Sequence, residues 1–273
     1  MNKNMFSMFN IPNLLTASNM LCGILSILLS LSGRIDLAPY PIFLGAIFDF
    51  LDGFMARILK QQGELGKQLD SLADMITFGL APGIMMFVIL LKISVDKNLS
   101  LECTECEYLS FSTWIDVVLR KFHFEVLFAL LIPVFSMFRL AKFNLDTRQS
   151  ESFIGVPTPA NTIFFCMFPL ILVQDFAVGS FQFQVREFIM QVWVLIPIIV
   201  IMSILLISEI PLFSLKFKHF KWKGNEIRFI FLITCSLLIP LTRFWSMGII
   251  VLLYLILSII ENILKTKKHE IQS

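Results

Sequence analysis

The sequence predicts an all-α protein, a polytopic membrane helix bundle of about eight transmembrane helices. Three observations carry that expectation. Apolar residues fill 57% of the 273 positions, above the roughly 45–50% usual for soluble domains. Charged residues are 15%, against roughly 25% ordinarily, too few to cover a soluble globule of this size. The apolar runs are continuous rather than alternating, which favours helices over the strands of a barrel. A mean hydropathy of +0.81 agrees, and 29 phenylalanines suit surfaces that face lipid. The net charge of only +2 offers no electrostatic support for a nucleic-acid partner.

A helical span needs about 20 mostly apolar residues. The first candidate runs from Ile11 to Leu31 and the second from Tyr40 to Leu59. The third, Leu69 to Ile93, is expected to be interrupted at Pro82. Phe124 to Phe143, Thr158 to Phe176 and Phe188 to Phe213 follow. Phe229 to Leu241 is short and must borrow Asn225 to Arg228 to cross. Trp245 to Leu264 is the last, joined to its predecessor by a tight turn near Arg243. The first span has no basic segment before it beyond Lys3, so it reads as a retained helix rather than a cleaved signal. The chain divides into a membrane domain over 1–215 and a basic loop with a C-terminal hairpin over 216–273.

With eight spans, 15 of the 22 Lys and Arg residues collect on the side that holds both termini. Positive residues favour the cytoplasmic side, so this side is expected to face the cytoplasm of a cell-membrane protein. Cys22, Cys166 and Cys235 lie in apolar runs and read as small hydrophobes. Cys103 and Cys106 form a lone C-x-x-C in the longest outer loop. Only His123 is near enough to assist a metal there, so a local disulfide or a free pair fits better.

Four aspartates are out of place in such a chain. Ionisable groups inside a span are costly and usually functional. Asp49 and Asp52 are three apart, and Asp70 and Asp74 four apart, so each pair shares one helix face. The polar Lys60–Lys67 connection makes the two helices a hairpin whose carboxylates converge at one end. Four carboxylates do not all ionise at close range without counter-charge, and the single Arg57 is not enough. Oxygen-only ligands suit one or two hard divalent cations, Mg²⁺ or Mn²⁺. Gly53, Ala56 and Gly66 are small, leaving room for a diphosphate to approach the backbone. Structural capping or pairing with lysines is the other reading of such acids.

The pattern Asp49-x2-Asp52-Gly53-x2-Ala56-Arg57-x8-Gly66-x3-Asp70-x3-Asp74 resembles the signature of the CDP-alcohol phosphotransferase family at every fixed position. Eight fixed positions at about 5% each give a chance match on the order of 10⁻¹¹ per start point. The resemblance implies a core of six helices, to which the C-terminal hairpin is added, and a homodimer. It implies metal ligation by Asp49, Asp52, Asp70 and Asp74, with Asp74 also the general base. It makes Gly53, Ala56, Arg57, Gly63 and Gly66 contacts of the CDP-linked lipid. Asn13 and Thr16, at the start of the first span, resemble the family's first-helix cytidine contacts; helix capping is their other reading.

Three further stretches bear on the acceptor: Phe78-Gly79-Leu80-Ala81-Pro82, Phe138-Arg139-Leu140-Ala141-Lys142-Phe143-Asn144 and Gly155-Val156-Pro157-Thr158-Pro159-Ala160. Together these resemble the membrane-embedded bacterial phosphatidylserine synthases of that family, over most of residues 11–213. The resemblance implies CDP-diacylglycerol as donor, L-serine as acceptor, and phosphatidylserine and CMP as products. Arg139 and Lys142, three apart, would meet the serine carboxylate, and Asn144 would add a hydrogen bond. Snorkelling anchors are the other reading of the two cations. Glycerol 3-phosphate or an inositol phosphate is the alternative acceptor, and each would demand a denser basic cluster. Cation transport through buried acids is the alternative of another class. It leaves the glycine and arginine spacing unexplained.

Overall fold

A computed structural model describes residues 10–95, 124–145, 153–213 and 225–272. They form helices α1 (Ile11–Leu31), α2 (Pro39–Ile58), α3 (Glu64–Asp74), α4 (Ala81–Val95), α5 (Leu131–Leu145), α6 (Thr158–Leu172), α7 (Phe181–Ile189), α8 (Val192–Ile207), α9 (Glu226–Thr242) and α10 (Trp245–Gln272). A π-helical turn, Met75–Leu80, joins α3 to α4, and a 3₁₀ segment, Phe124–Leu130, leads into α5. The all-α class holds. Among the described residues the one exception is a two-residue antiparallel pair, β1 (Phe153–Ile154) with β2 (Pro211–Leu212).

The expected eight spans are not all met by length and composition. Among the described residues four helical runs are long and apolar enough to cross a membrane: Ile11–Leu31, Glu64–Ser94, Phe124–Leu145 and Trp245–Leu264. A fifth is reached if α7 and α8 count as one broken span. Helix α2 has 20 residues but carries Asp49, Asp52 and Arg57. Helices α6 and α9 have only 15 and 17 residues. The expected domain boundary at 215/216, Cys103, Cys106 and His123 lie outside the described residues.

Two expected spans need correction. The third does not break at Pro82 but runs on from Glu64 to Ser94. Proline has no N–H to give the carbonyl four residues earlier, here Phe78. The π-helical turn widens the helix just before the proline, and Thr162 Oγ1 of α6 donates to the Phe78 carbonyl at 2.7 Å. The orphan acceptor is thus satisfied from a neighbouring helix. The sixth expected span, Phe188 to Phe213, is shorter than expected: α8 covers only Val192–Ile207, and Phe188 and Ile189 belong to α7, from which α8 is bent by 72°. Met190 closes α7 by donating its N–H to Arg186 O, and Gln191 starts α8 from extended backbone. The expected turn at Arg243 is present, with φ +49° between α9 and α10.

Helix α6 is the middle of the bundle. Twelve of its 15 residues are buried, with Phe165 and Phe168 fully enclosed beside Met86, Ile89, Ile132, Leu195 and Ile199. Its entry is fastened to the exit of α8 by the β1–β2 pair and by Val156 N–H donating to Leu205 O at 3.1 Å. Gly155 between them has φ +74°, and a Cβ there would lie 2.7 Å from Leu206 O. Only glycine suits that corner.

Helices α1 and α2 pack as an antiparallel hairpin against the π-helical turn. Thr77 of that turn sits where α1 and α2 present glycines: a Cβ on Gly23 would come within 2.7 Å of Thr77 Cα, and one on Gly45 within 2.9 Å of its methyl. Thr77 Oγ1 donates to Asn19 O at 2.9 Å. Gly23→Ala meets backbone, which side-chain motion does not relieve. It is expected to cost about 1–3 kcal/mol by overpacking, read as a lower unfolding midpoint of the detergent-solubilised protein. An unchanged midpoint would contradict this contact.

Candidate active site

The first half of α1, the end of α2, the short helix α3, the end of α5 and the start of α6 meet at one end of the bundle. The spacing of the aspartates produces the site directly. On α2, Asp49 and Asp52 face the same way, and on α3, Asp70 and Asp74 return to meet them. Carboxylate oxygens of Asp49, Asp70 and Asp74 all lie within 4.8 Å of one another. Asp52, only 5% exposed, instead takes a hydrogen bond from Thr16 Oγ1 at 2.5 Å. Asp74 accepts from Asn19 Nδ2 at 3.2 Å.

Three carboxylates this close repel one another unless a cation stands among them. Asp70 Oδ1 is buried and has no hydrogen-bond partner among the described residues. An all-oxygen donor set with such an unpartnered acceptor fits a hard divalent ion.

Beside this cluster opens a polar cavity of about 270 Å³. Its wall includes Asn13 and Thr16 from α1, Asp52, Gly53, Ala56 and Arg57 from α2, and Gly63, Gly66 and Asp70 from the turn and α3. The structure thus brings all seven expected donor contacts to one hollow. Arg57 Nε donates to Gly53 O at 2.9 Å, which holds the guanidinium along the α2 end. A Cβ on Gly63 would touch nothing, and one on Gly66 would lie 3.5 Å from Asn13 Oδ1. Their smallness leaves room in the cavity rather than relieving a clash. The cap of α1 is Asn10, whose Oδ1 accepts from Asn13 N at 2.9 Å. A second, mainly apolar hollow of about 320 Å³ lies between α1 and α3, lined by Leu14, Ala17, Met20, Leu65, Leu69 and Leu72. It shares Asn13 and Thr16 with the polar cavity.

The three residues expected to meet the acceptor separate. Arg139 is 7% exposed, stacks on Phe143 at 4.9 Å and lies in the electrostatic field of Asp74. Lys142 turns away into an ion pair with Glu209 at 3.2 Å. Asn144 donates through Nδ2 to Ser71 Oγ at 2.8 Å, and its carbonyl accepts from Lys67 Nζ at 3.2 Å. It tethers α5 to α3.

Sequence reasoning missed Asn19, Thr77, Lys67, Gln61 and Gln62, the last three on the cavity wall. Asn19 had a signal: it is a polar residue in an apolar run, three after Thr16 and four before Gly23, on one helix face.

The family described as CDP-alcohol phosphatidyltransferase matches residues 9–205. The chain is similar to the CDP-diacylglycerol–serine O-phosphatidyltransferase of Bacillus subtilis, with 29% identity over 79% of this chain and 94% of that one. It is similar to the protein of the same name from Helicobacter pylori, with 27% identity over 92% and 90%. It also resembles archaetidylserine synthase of Methanothermobacter thermautotrophicus, with 30% identity over 59% and 58%.

Proposed function

Because the chain belongs to the CDP-alcohol phosphatidyltransferase family, we propose that it transfers the phosphatidyl group of CDP-diacylglycerol to the hydroxyl of L-serine. The observation that carries this reading is the convergence of Asp49, Asp70 and Asp74 beside a cavity walled by small residues and Arg57. The serine acceptor rests on the names of the similar proteins and on a single buried guanidinium, Arg139, near Asp74.

The nucleotide and diphosphate occupy the polar cavity, with Arg57 toward phosphate and Asn13 and Thr16 toward the base. An acyl chain follows the apolar hollow between α1 and α3, which adjoins the cavity at the shared wall residues Asn13 and Thr16. Asp49, Asp70 and Asp74, whose oxygens converge, would hold divalent metal, Mg²⁺ or Mn²⁺, with Asp52 beside them as a further carboxylate. Such an ion would supply Lewis acidity toward the diphosphate and the departing CMP. Asp74 takes the serine hydroxyl proton, oriented by the hydrogen bond from Asn19. The serine oxygen forms a bond to the lipid-side phosphorus, and the bond from that phosphorus to the CMP oxygen breaks. Phosphatidylserine and CMP leave. The basic excess at this end of the bundle supports a site facing the cytoplasm of the cell membrane.

An acceptor panel tests the reading. Purified enzyme with CDP-diacylglycerol and Mn²⁺ is offered serine, glycerol 3-phosphate or inositol phosphate. CMP release is expected with serine alone, and release only with glycerol 3-phosphate would overturn the assignment. Arg139→Ala is expected to raise the serine KM at least tenfold. Lys142→Ala should leave it within about twofold, because Lys142 is half-exposed and paired with Glu209. A tenfold rise for Lys142→Ala would return that residue to the acceptor site.

A further inference from the structure

Asn161 has an unusual burial. It lies in the first turn of α6 with 0% exposure, and neither its Oδ1 nor its Nδ2 has a hydrogen-bond partner among the described residues. Thr158, three residues earlier, is 1% exposed and its Oγ1 is likewise unpartnered. So is Ser136 Oγ on α5, at 0%. A buried polar group left without a partner costs about 1–3 kcal/mol. Native proteins rarely leave several together without a ligand or water to satisfy them.

Their place is informative. Thr162, next to Asn161, bonds the Phe78 carbonyl in the π-helical turn that begins directly after Asp74. Ser136 packs on the same turn, its Cβ 3.1 Å from where Gly79 would carry one. Arg139 follows Ser136 by three residues, on the same face of α5. Three elements therefore converge behind the aspartates: α5 with Ser136 and Arg139, the π-helical turn, and α6 with Thr158 and Asn161.

We propose that Asn161, with Thr158, forms the half of the acceptor pocket that holds the ammonium group, opposite the carboxylate at Arg139. The proposal rests on the serine reading and deepens it. An ammonium offers three donors and no acceptor, so it needs neutral oxygens around it. Asn161 Oδ1 and Thr158 Oγ1 are two such oxygens, both lacking a donor. The Asn161 NH₂ remains to donate toward the carboxylate. A phosphate-bearing acceptor offers many acceptors and needs cations instead. A neutral amide and hydroxyl on α6, with one guanidinium on the neighbouring α5, suit a small zwitterion better.

The test compares wild type, Asn161→Leu, Asn161→Ser and Thr158→Val on serine, 3-hydroxypropionate (no ammonium) and ethanolamine (no carboxylate). CMP release, CDP-diacylglycerol binding and unfolding midpoint are measured on each preparation. Wild type is expected to prefer serine over 3-hydroxypropionate by at least 10²-fold in kcat/KM. A site built to bond a group rejects the analogue lacking it. Asn161→Leu and Thr158→Val should raise the serine KM at least tenfold and shrink that preference, with CDP-diacylglycerol binding within twofold of wild type. Serine KM and preference both unchanged, with only the midpoint lowered, would mean these groups bond buried water and would overturn the proposal. If Asn161→Leu does not fold, Asn161→Ser and Thr158→Val decide by the same criterion. A wild type that releases CMP with no amino acid overturns the serine reading and this proposal together. A wild type that uses serine, with variants that match it, overturns this proposal alone.

Discussion

Asp74→Asn is expected to lower serine-dependent CMP release by about 10²–10⁴-fold, the range over which a positioned general base contributes. The substitution keeps shape and keeps an oxygen to accept from Asn19 Nδ2, now at 3.2 Å from Asp74. It removes the one property the proposal requires, a carboxylate able to take the serine proton. Asp74 is the last residue of α3, directly before the helix widens; it is held from α1 by Asn19, and its charge is felt by the Arg139 guanidinium of α5. Because it also lies in the carboxylate cluster, weakened metal binding is a second route to lost activity. Titrating Mn²⁺ separates the two. A base defect leaves kcat low at saturating metal, whereas a ligand defect is recovered by more metal. Activity within tenfold of wild type at ordinary metal would remove Asp74 from the role of base.

Chelation is expected to bring CMP release to background, and Mg²⁺ or Mn²⁺ to restore it. Stability should move in the opposite sense when one carboxylate is taken away. In the metal-free protein the oxygens of Asp49, Asp70 and Asp74 lie within 4.8 Å, so the three carboxylates ionise only against mutual repulsion. Asp49→Asn relieves part of that repulsion. It should therefore raise the unfolding midpoint of metal-stripped protein, by roughly 2–4 °C for each kcal/mol relieved, while abolishing turnover. In wild type, added metal should raise the midpoint by mass action, and the gain should shrink in Asp49→Asn. A wild type whose midpoint ignores both chelator and metal would contradict a divalent site here. Loss of activity bought at a gain in stability marks residues kept for chemistry.

The aspartate pairs were legible because their spacing, three and four residues on two linked helices, is itself a geometric statement. The small residues around Arg57 were legible for the same reason. Both depend on local helix geometry alone. What depended on tertiary contact was not. Pro82 reads as a helix break, because the residue that rescues Phe78 O is Thr162, 84 positions away. Lys142 and Arg139 look equivalent in sequence, and only the position of Glu209 beyond α8 separates them. The break between α7 and α8 lies in a stretch whose hydrophobicity continues past it. Asn161 carried no signal beyond being polar in an apolar helix. Its meaning comes from what does not touch it.

The π-helical turn at Met75–Leu80 has a consequence for how this chain tolerates changes of length. In an α-helix each residue adds about 100° of rotation, and a π-helical turn absorbs one extra residue without lengthening the axis by a full step. Asp70 and Asp74 before the turn face α1 and α2. Met85, Met86 and Ile89 after it face the core. Deleting the one residue that the turn absorbs would restore a regular helix with both sets still facing as they do. A deletion in the regular helix on either side would instead rotate one set against the other by about 100°, and either the aspartates would leave the site or the methionines would leave the core. The turn is thus a place where this long helix can lose a residue and keep both faces, though it would give up the widened spacing at which Phe78 O meets Thr162.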